Sequence, residues 1–357
     1  MTDLLIVARG RPGIVASTRY RVHQYLPYLA QAGVRFDVVF PPRRKHVHGV
    51  VWPFFFSRIL FLGARAQTVF VQKDIHLLAL WRLLKRMRKR LVYDFDDAIY
   101  LEGPRGERNV HCFSWPQRPA RDLVAQMIRM ADFVLVANSY LLAFARQFNH
   151  QVEILPMAVD CDLFPPCQRS HRQPVTIGWI GSPHTVGYLS AIEPALQRLQ
   201  ATQRTAIHLK IVTSGRVPLN NVQFEQHRWD AAAELEHLKS FDIGVVPLPA
   251  QEPFAAGKSS YKLLQFLASG LPVVCSPVGS NVDIIEHGKN GFFASDIEEW
   301  VQHLDQLIRN AALRSIVGAN ACASARAQFS LQALWPRFLG FVAPANAARS
   351  RAPAIRV

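Results

Sequence analysis

Residues 257–272, with the sequence GKSSYKLLQFLASGLP, combine residue types that bind a charged ligand at the start of a helix. Gly257 permits a tight turn, and Ser259 or Ser260 is a suitable N-cap because a serine hydroxyl accepts a hydrogen bond from a first-turn amide. Gly270, followed closely by a proline, is typical of a helix end. Helix N-termini attract anions through their unpaired amides and positive dipole end, so the segment predicts an anion site suited to a diphosphate.

Three polar side chains of this segment are spaced to share one helix face. Lys258, Lys262 and Gln265 fall at positions i, i+4 and i+7, whereas the leucines fall on the other faces. Such a face places positive charge beside a bound anion. The alternative is a solvated helix face with an ordinary cap, which the pattern alone favours.

Acidic residues form a second candidate group in the sequence DFDD, at the end of an apolar run. Carboxylate oxygens are ligands of hard cations, so Asp94, Asp96 and Asp97 are candidates for a metal site. Alternatively, one of them orients a hydroxyl group or pairs with Arg19 or Arg21 of the earlier sequence ASTRYRVHQY. A third interpretation is a loop cap with an internal salt bridge. The two arginines are also candidates for plain surface charges.

Apolar, β-rich runs alternate with amphipathic helical patterns along the chain. The runs are DLLIVA, RFDVVF, TVFVQ, LVYDFD, FVLVAN and EILPM, followed by VTIGWIG, HLKIVTSG, VQFEQH, DIGVVPLP and LPVVCS. This alternation is typical of parallel sheets covered by helices. The sequence therefore predicts an α/β protein with two doubly wound, Rossmann-like domains, whose ligands bind at the carboxyl ends of the strands, in a cleft between the two sheets.

Length and composition fit two globular domains. The 357 residues are 50% hydrophobic and 19% charged, and the polar stretch DCDLFPPCQRSHRQP at 160–174 is a suitable linker. We divide the chain into domains 1–165 and 166–335 and a tail, 336–357. The five cysteines show neither C-x-x-C pairs nor an even number, which argues against a zinc site or a disulfide framework.

The charge is strongly basic, at +15, and is concentrated in the first half of the chain. Residues 1–167 contain 23 Lys and Arg against 13 Asp and Glu, whereas the remainder contains 18 against 13. Such an excess attracts phosphorylated substrates, an acidic membrane surface or nucleic acid. The most apolar run, 51–66, is interrupted by Arg58 and Arg65 and is too short to span a membrane. The N-terminus does not resemble a signal peptide, so we expect a cytoplasmic protein.

The sequence HLLALWRLLKRMRKR at 76–90 has the pattern of a basic amphipathic helix. Its apolar stripe consists of Leu77, Leu80, Trp81, Leu84 and Met87. Such a helix either lies on an anionic membrane or packs half-buried on its own sheet. Arg43, Arg44, Lys45 and the FFF run at 54–56 support the first interpretation, so attachment to the inner face of a membrane is a hypothesis.

The segment QFLASGLPVVCSPVG resembles the C-terminal domain of retaining glycosyltransferases of family 4, in which a helix is followed by small-Gly-x-Pro-Val-Val. Five further motifs resemble that family in the same order: ASTRYRVHQYLPYLAQAG, LVYDFDDAIY, ILPMAVDCDLF, TIGWIGSPHTVGYL and RWDAAAELEHLKSFDIGVVPLP. The resemblance covers most of the chain. It implies the GT-B architecture, with an acceptor-side N-terminal domain and a nucleotide-sugar-binding C-terminal domain that face a cleft.

The resemblance also carries over individual residues, with one departure. In that family the helix has two glutamates eight positions apart, the first contacting the donor sugar and the second the ribose. Here these positions are Gly257 and Gln265, so the chain resembles a divergent branch with the pattern GKSSxKLLQ. A glutamine can still bond a ribose hydroxyl through its carbonyl oxygen.

The first loop of the C-terminal domain, GWIGSPHT, lacks the family's usual Arg and Lys. Lys258 and Lys262 are therefore the candidates for neutralising the diphosphate, and Gly181 and Ser182 allow its close approach to the backbone. For Arg19 the resemblance implies an acceptor or phosphate role. We expect no metal and no cofactor, because the resembled family is metal-independent.

Rival motifs fit less well. AGKSS resembles a phosphate-binding P-loop, but Glu252 stands where that motif requires its first glycine. DFDD has the D-x-D spacing of metal-dependent, single-domain glycosyltransferases, but it lies in the wrong half of the chain. A nucleic-acid-binding protein would fit the charge alone, since no such module is recognisable.

We therefore predict an enzyme that moves a sugar from a nucleoside-diphosphate donor to a glycan or lipid-linked acceptor with retention of configuration. Cell-surface polysaccharide or glycolipid synthesis is the expected setting, and nucleic acid is not an expected partner. Because the first glutamate is missing, the alternative is a non-catalytic nucleotide-sugar-binding or partner subunit of a glycosyltransferase system.

Overall fold

A computed structural model describes residues 2–13, 15–41, 51–101, 119–167, 174–202 and 207–343. The basic residues Arg43, Arg44 and Lys45 lie outside the described residues. The chain forms two compact units. The first unit comprises Met1–Met157, Gly257–Ser259 and Leu334–Val357, and the second comprises Ala158–Ala256 and Ser260–Ala333.

The described part of the first unit has a six-stranded parallel sheet in the order β2-β1-β3-β4-β5-β6. Its strands are β1 Thr2–Val7, β2 Phe36–Val39, β3 Ala66–Gln72, β4 Arg90–Phe95, β5 Phe133–Val136 and β6 Val152–Ile154. Its helices are α1 Ala16–Arg21, α2 Leu26–Gln31, α3 Val51–Arg65, α4 Leu78–Arg86, α5 Ala120–Met130 and α6 Ser139–Ala145.

The described part of the second unit also has a six-stranded parallel sheet, in the order β12-β11-β10-β7-β8-β9. Its strands are β7 Val175–Ile180, β8 Ile207–Val212, β9 Glu225–His227, β10 Ile243–Val246, β11 Val273–Cys275 and β12 Phe292–Phe293. Its helices are α7 Glu193–Thr202, α8 Glu234–Lys239, α9 Pro253–Ala256, α10 Tyr261–Ala268, α11 Ser280–Ile284, α12 Ile297–Arg309 and α13 Ala311–Ser324.

Continuous burial explains why the strands are apolar runs instead of alternating patterns. Strands β1, β4 and β11 are buried on both faces, as expected for parallel strands with helices on each side of the sheet. The predicted α/β class with two parallel-sheet domains is confirmed. Parallel pairing also brings the carboxyl ends of β1, β3 and β4 to one edge, where Val7 pairs with Val71 and Gln72 with Asp94.

The last described helix, α14 Leu331–Val342, belongs mostly to the first unit. Phe338 is fully buried and its ring stacks on Tyr25, with 4.3 Å between the ring centroids. The Arg90 side chain donates to the Ala343 carbonyl at 2.9 Å, which ties the helix end to the sheet. The sequence had placed 336–357 in a tail; the described residues from 336 to 342 instead complete a hydrophobic core.

None of the described helices is long and apolar enough to cross a membrane.

Candidate functional site

Helix α10 occupies half of the segment 257–272 that the sequence singled out. It runs over Tyr261–Ala268 and ends in a Schellman motif: Gly270 has φ 66°, its amide donates to Leu267, and the Leu271 amide donates to Phe266. The predicted helix end at Gly270 is therefore confirmed.

The start of α10 differs from an ordinary serine cap. Ser260 is the N-cap but has φ 46° and ψ 39°, a left-handed backbone that costs a non-glycine residue about 1 kcal/mol or more. In this conformation its hydroxyl does not cap the helix and has no hydrogen-bond partner among the described residues, although it is buried. Strain and an unsatisfied hydroxyl at one residue are features that cluster at ligand sites.

A buried carboxylate binds two polar side chains of α10. Glu234, at the start of α8, forms an ion pair with Lys262, and its second oxygen accepts from the Gln265 amide at 2.8 Å. The Trp229 indole donates to the same carboxylate at 2.9 Å, and the Lys262 ammonium lies 5.9 Å from the Trp229 ring centroid. Four side chains from three segments of the second unit thus hold one another in place.

Because α10 begins at Tyr261, Lys258 precedes the helix, and only Lys262 and Gln265 share its face. Gln265 is fully buried. Its amide nitrogen is committed to Glu234, whereas its carbonyl oxygen has no partner among the described residues. Helix α10 therefore contains a buried acceptor without a partner among the described residues, five residues after the strained N-cap.

The charge state of Glu234 follows from these contacts. Burial raises the pKa of the carboxyl, but the Lys262 charge and the hydrogen bonds from Lys262, Trp229 and Gln265 outweigh burial and leave the pKa below its ordinary value of 4.5. Because its pKa is lowered in the folded state, the ionised Glu234 carboxylate stabilises the fold at pH values above 4.5. This contribution is lost as the pH falls through the lowered value.

Replacing Glu234 by glutamine should lower the free energy of unfolding by about 1–3 kcal/mol at neutral pH, because Lys262 loses its counter-charge. The difference from wild type should be largest above pH 4.5 and should shrink below it. Urea unfolding at several pH values measures it. Glu236→Gln is the matched control, since exposed Glu236 on the same helix pairs only with Lys239 at the surface and should change stability little. A pH-independent difference would contradict the ionised state of Glu234.

Gly181 and Ser182 form the turn after β7, where the sequence placed them. A Cβ atom on Gly181 would lie 2.4 Å from the Trp179 ring, so a larger residue there would require the Trp179 side chain to move. The Ser182 carbonyl accepts from the Thr185 amide at 3.0 Å, and Ser182 itself is exposed. The turn presents backbone at the carboxyl end of a central strand, the position at which ligands bind in open α/β sheets.

Gly257, Lys258 and Ser259 group with the first unit. A Cβ atom on Gly257 would lie 2.4 Å from the Ala98 Cβ, so the position excludes any larger residue, including the glutamate of the resembled family. The Lys258 carbonyl accepts from the Asn138 side chain at 3.1 Å. The structure therefore divides the predicted diphosphate-binding residues between the units: Ser260, Lys262 and Gln265 belong to the second.

In the first unit, Asp94 is fully committed to a buried ion pair. The Arg21 Nε atom lies 3.1 Å from Asp94 Oδ1, a second guanidinium nitrogen contacts the same oxygen, and the third donates to the carbonyls of Leu155 and Pro156. Burial lowers the pKa of Arg21, but the Asp94 charge, the Asp94 hydrogen bond and the Asp96 charge together raise it by more, so Arg21 stays charged. This is the internal salt bridge that the sequence left as one alternative for the aspartates.

Asp96 and Asp97 share a buried lysine that sequence reasoning missed. The Lys73 ammonium lies 2.7 Å from Asp96 and 2.5 Å from Asp97, and Ser17 donates to Asp96 at 2.7 Å. Lys73 has φ 54°, a left-handed conformation directly after β3. Burial lowers the pKa of Lys73, and the two carboxylates raise it by more. The side chain of Asp97 is 32% exposed, compared with 3% for Asp96, so Asp97 is the one aspartate of the group with access to solvent.

Arg19 does not join this cluster. Its Nε atom donates to the Pro12 carbonyl at 3.2 Å, and its guanidinium lies 5.7 Å from the Tyr20 ring centroid. Two residues along a helix turn by about 200°, so Arg19 and Arg21 point in opposite directions. Among the described residues no group of three or more His, Cys, Asp or Glu side chains is arranged to hold a metal ion.

Known protein structures share the fold of this chain. A glycosyltransferase from Rickettsia africae ESF-5 superposes with a TM-score of 0.68 at 13% identity, covering 98% of this chain and 100% of that one. Anabaena HepE, solved in complex with UDP and glucose, superposes with a TM-score of 0.66 at 16% identity, covering 95% and 99%.

The chain has the GT-B fold. Residues 174–310 of this GT-B protein, which span most of the second unit, match the family model described as Glycosyl transferases group 1. The sulfoquinovosyl transferase SQD2 of Arabidopsis thaliana is 25% identical over 229 residues, 59% of this chain and 44% of that protein. The GT-B chain spans less than half the length of the curated relatives it matches.

Glu234, Trp229 and Lys73 are the residues of the GT-B site regions that sequence reasoning missed. Glu234 and Trp229 lie inside the motif RWDAAAELEHLKSFD, but their partners lie much later in the chain. Gln265, for example, follows Glu234 by 31 residues. Lys73 lies after a predicted strand, in the same way as the aspartates. A polar residue at the carboxyl end of each central strand is the signal that could have identified it.

Proposed function

We propose that this protein is a glycosyltransferase that moves a sugar from a nucleoside-diphosphate donor to a hydroxyl of a glycan or lipid-linked acceptor, with retention of configuration and without a metal. The observation that carries the proposal is the start of helix α10 within the region that matches the group 1 glycosyltransferases. There, a strained helix N-terminus, a buried unpaired hydroxyl and an unpaired amide carbonyl occur together.

The ribose of the donor is the proposed partner of Gln265. The carbonyl oxygen of Gln265 accepts a hydrogen bond from a ribose hydroxyl, because Glu234 already holds the amide nitrogen. Glu234 thereby fixes which end of the Gln265 amide faces the ligand. A buried acceptor without a partner destabilises the protein by about 1–3 kcal/mol, so a ribose hydroxyl that donates to it should strengthen donor binding by a free energy of that order.

The diphosphate is the proposed ligand of the helix start and of the turn at Gly181 and Ser182. The positive end of the α10 dipole and the Lys258 ammonium stabilise the charge that develops on the leaving group as the glycosidic bond breaks. Lys262 is already neutralised by Glu234, so its main role in this proposal is to hold that carboxylate. Lys258 is the principal cation for the diphosphate.

On the acceptor side the proposal rests on Asp97. Asp94 and Asp96 are buried and paired with Arg21 and Lys73, which gives them a structural role. Asp97 keeps exposed carboxylate surface, which can accept a hydrogen bond from an acceptor hydroxyl. Arg19, half-buried beside Tyr20, is a second candidate for contact with an anionic acceptor group.

Thermal shift with a panel of nucleotides and nucleotide sugars tests the donor site. A ligand that binds only the native state raises the melting temperature, by an amount that corresponds to about 2.7 kcal/mol at a hundredfold excess over Kd. UDP and UDP-glucose are the first compounds to test, since the neighbouring HepE structures contain them. The Gln265→Leu variant should lose the shift with nucleotides and keep its own melting temperature within a few degrees. No shift with any nucleotide would refute the proposal.

A non-catalytic partner subunit is the second candidate, because Gly257 excludes the glutamate of the resembled family. The two candidates differ in one measurement. Donor hydrolysis or sugar transfer by the pure protein supports the enzyme, whereas nucleotide-sugar binding without either supports the subunit.

A further inference from the structure

Helix α3 has an outer face that combines exposed aromatic rings with arginines. Phe54 is 70% exposed and Phe61 is 60% exposed, while Arg58 and Arg65 are also exposed. These four residues follow one another at i, i+4, i+7 and i+11 and therefore form one stripe along the helix. The Arg65 guanidinium lies 5.2 Å from the Phe61 ring centroid. The stripe alternates large apolar and positively charged groups.

The opposite face of α3 is the one that packs on the protein. Phe55 and Ile59 are buried, and a Cβ atom on Gly63 would lie 2.9 Å from Leu84 of α4. One face of α3 is therefore buried against the protein, and the exposed aromatic rings of the other face do not contribute to the core. Exposed apolar groups of this size, rimmed by polar residues, mark interaction sites.

Helix α4 continues the same surface. Right-handed crossovers from β2 to β3 and from β3 to β4 put α3 and α4 on one side of the sheet, and Gly63 places them in direct contact. Leu83 of α4 is 41% exposed, and Met87, directly after the helix, is 42% exposed. Arg82 and Arg86 of α4 are also exposed. We call the exposed residues of both helices, together with Met87, the α3/α4 face.

The apolar stripe that the sequence offered for membrane contact is a different one. Leu77, Trp81 and Leu84 are buried in the core of the first unit, and the Trp81 indole donates to Asp74 at 2.9 Å. Only Met87 of the predicted stripe belongs to the α3/α4 face.

The charge of this region identifies the partner. Residues 51–93 contain nine Lys and Arg, of which Lys73 is buried against Asp96 and Asp97 and Lys85 pairs with Asp132. The one acidic residue of this range, Asp74, already accepts from Trp81 and from the Leu77 amide. Within the described part of the chain no carboxylate pairs with Arg58, Arg65 or Arg86. Positive charge interleaved with aromatic side chains fits the boundary between anionic headgroups and acyl chains.

We propose that the α3/α4 face docks the protein on an anionic lipid surface, with Phe54 and Phe61 inserted at the level of the headgroups and the arginines on the lipid phosphates. The proposal is independent of the donor site. It does not require that the protein transfers sugar, and it places the first unit, not the second, against the membrane.

Sedimentation with lipid vesicles tests the docking. The full chain should bind vesicles of phosphatidylcholine with about 30 mol% phosphatidylglycerol and should not bind vesicles of phosphatidylcholine alone. Each arginine near an anionic surface strengthens binding about fivefold, so Arg58→Gln combined with Arg65→Gln should weaken binding by roughly twentyfold or more. About 1 M salt, which shortens the Debye length to about 3 Å, should release the protein.

Apolar insertion is tested separately. Phe54→Ser combined with Phe61→Ser should weaken binding to the same anionic vesicles at least about tenfold. Ile316→Ser, at a residue that is 60% exposed on α13 of the second unit, is the matched apolar control and should bind as wild type does. Unchanged melting temperatures show that the variants are folded, since the substituted side chains are exposed.

Several outcomes would overturn the proposal. Equal binding to neutral and anionic vesicles would refute the role of the arginines, and wild-type binding by the phenylalanine variant would refute insertion. Absence of vesicle binding together with self-association that Phe54→Ser and Phe61→Ser abolish would show that the face binds a second copy of the chain instead.

Discussion

Replacing Lys258 by alanine is expected to lower the rate of sugar transfer by at least about a hundredfold. The proposal makes this ammonium the principal charge on the leaving diphosphate, and removal of a group that stabilises developing charge typically costs that much. The fold should persist, because the Lys258 contact with Asn138 uses the backbone carbonyl, which alanine retains. Steady-state kinetics with the donor found by thermal shift, together with melting curves, measure both effects.

Lys289→Ala is the matched control for this experiment. Lys289 is 65% exposed and pairs with Glu286, three residues earlier in the chain, and lies outside the segment of the candidate donor residues. Its substitution should leave turnover unchanged. Wild-type turnover in Lys258→Ala would refute the role of Lys258 in leaving-group stabilisation, and an unfolded Lys258→Ala variant would show a structural role instead.

Replacing Arg21 by alanine is expected to lower the free energy of unfolding by about 3–5 kcal/mol, because the Asp94 charge is then buried without a partner. The substitution also removes donors from the carbonyls of Leu155 and Pro156. Chemical denaturation measures the loss, with Tm as a second readout.

Arg35→Ala is the control, because Arg35 forms a comparable arginine–aspartate pair with Asp3 at the surface, where its side chain is 64% exposed. Exposed pairs contribute little to stability. A similar small effect for Arg21→Ala would contradict the burial of the Arg21–Asp94 pair and reopen Asp94 as an acceptor-binding residue.

Hydrophobic periodicity and composition were sufficient to predict the order of strands along the chain and the parallel-sheet class. The predicted runs from DLLIVA to LPVVCS correspond to eleven of the twelve strands that the structure describes, because parallel strands buried on both faces are continuously apolar and easily recognised. The two-residue strand β12, Phe292–Phe293, is too short to give such a signal.

The residues proposed for the donor side were located by sequence in part. Gln265 and the helix end at Gly270 lie where the pattern placed them, because capping rules act locally. The left-handed backbone of Ser260 and the commitment of Lys262 to Glu234 were not predictable, since both depend on contacts between residues that are distant along the chain. Whether Arg19 or Arg21 pairs with the aspartates stayed open for the same reason: helical spacing shows that the two side chains point apart, not which one faces the sheet.

The position of α14 has a consequence for how the chain is made. Phe338 fills the core between Tyr25 and Phe70, but the ribosome reaches it only after the whole second unit has been synthesised. Domains usually complete folding in the order in which they are translated. Here the first unit to be translated is the last to close its core, because the surface around Tyr25 and Phe70 stays uncovered until Phe338 has been synthesised.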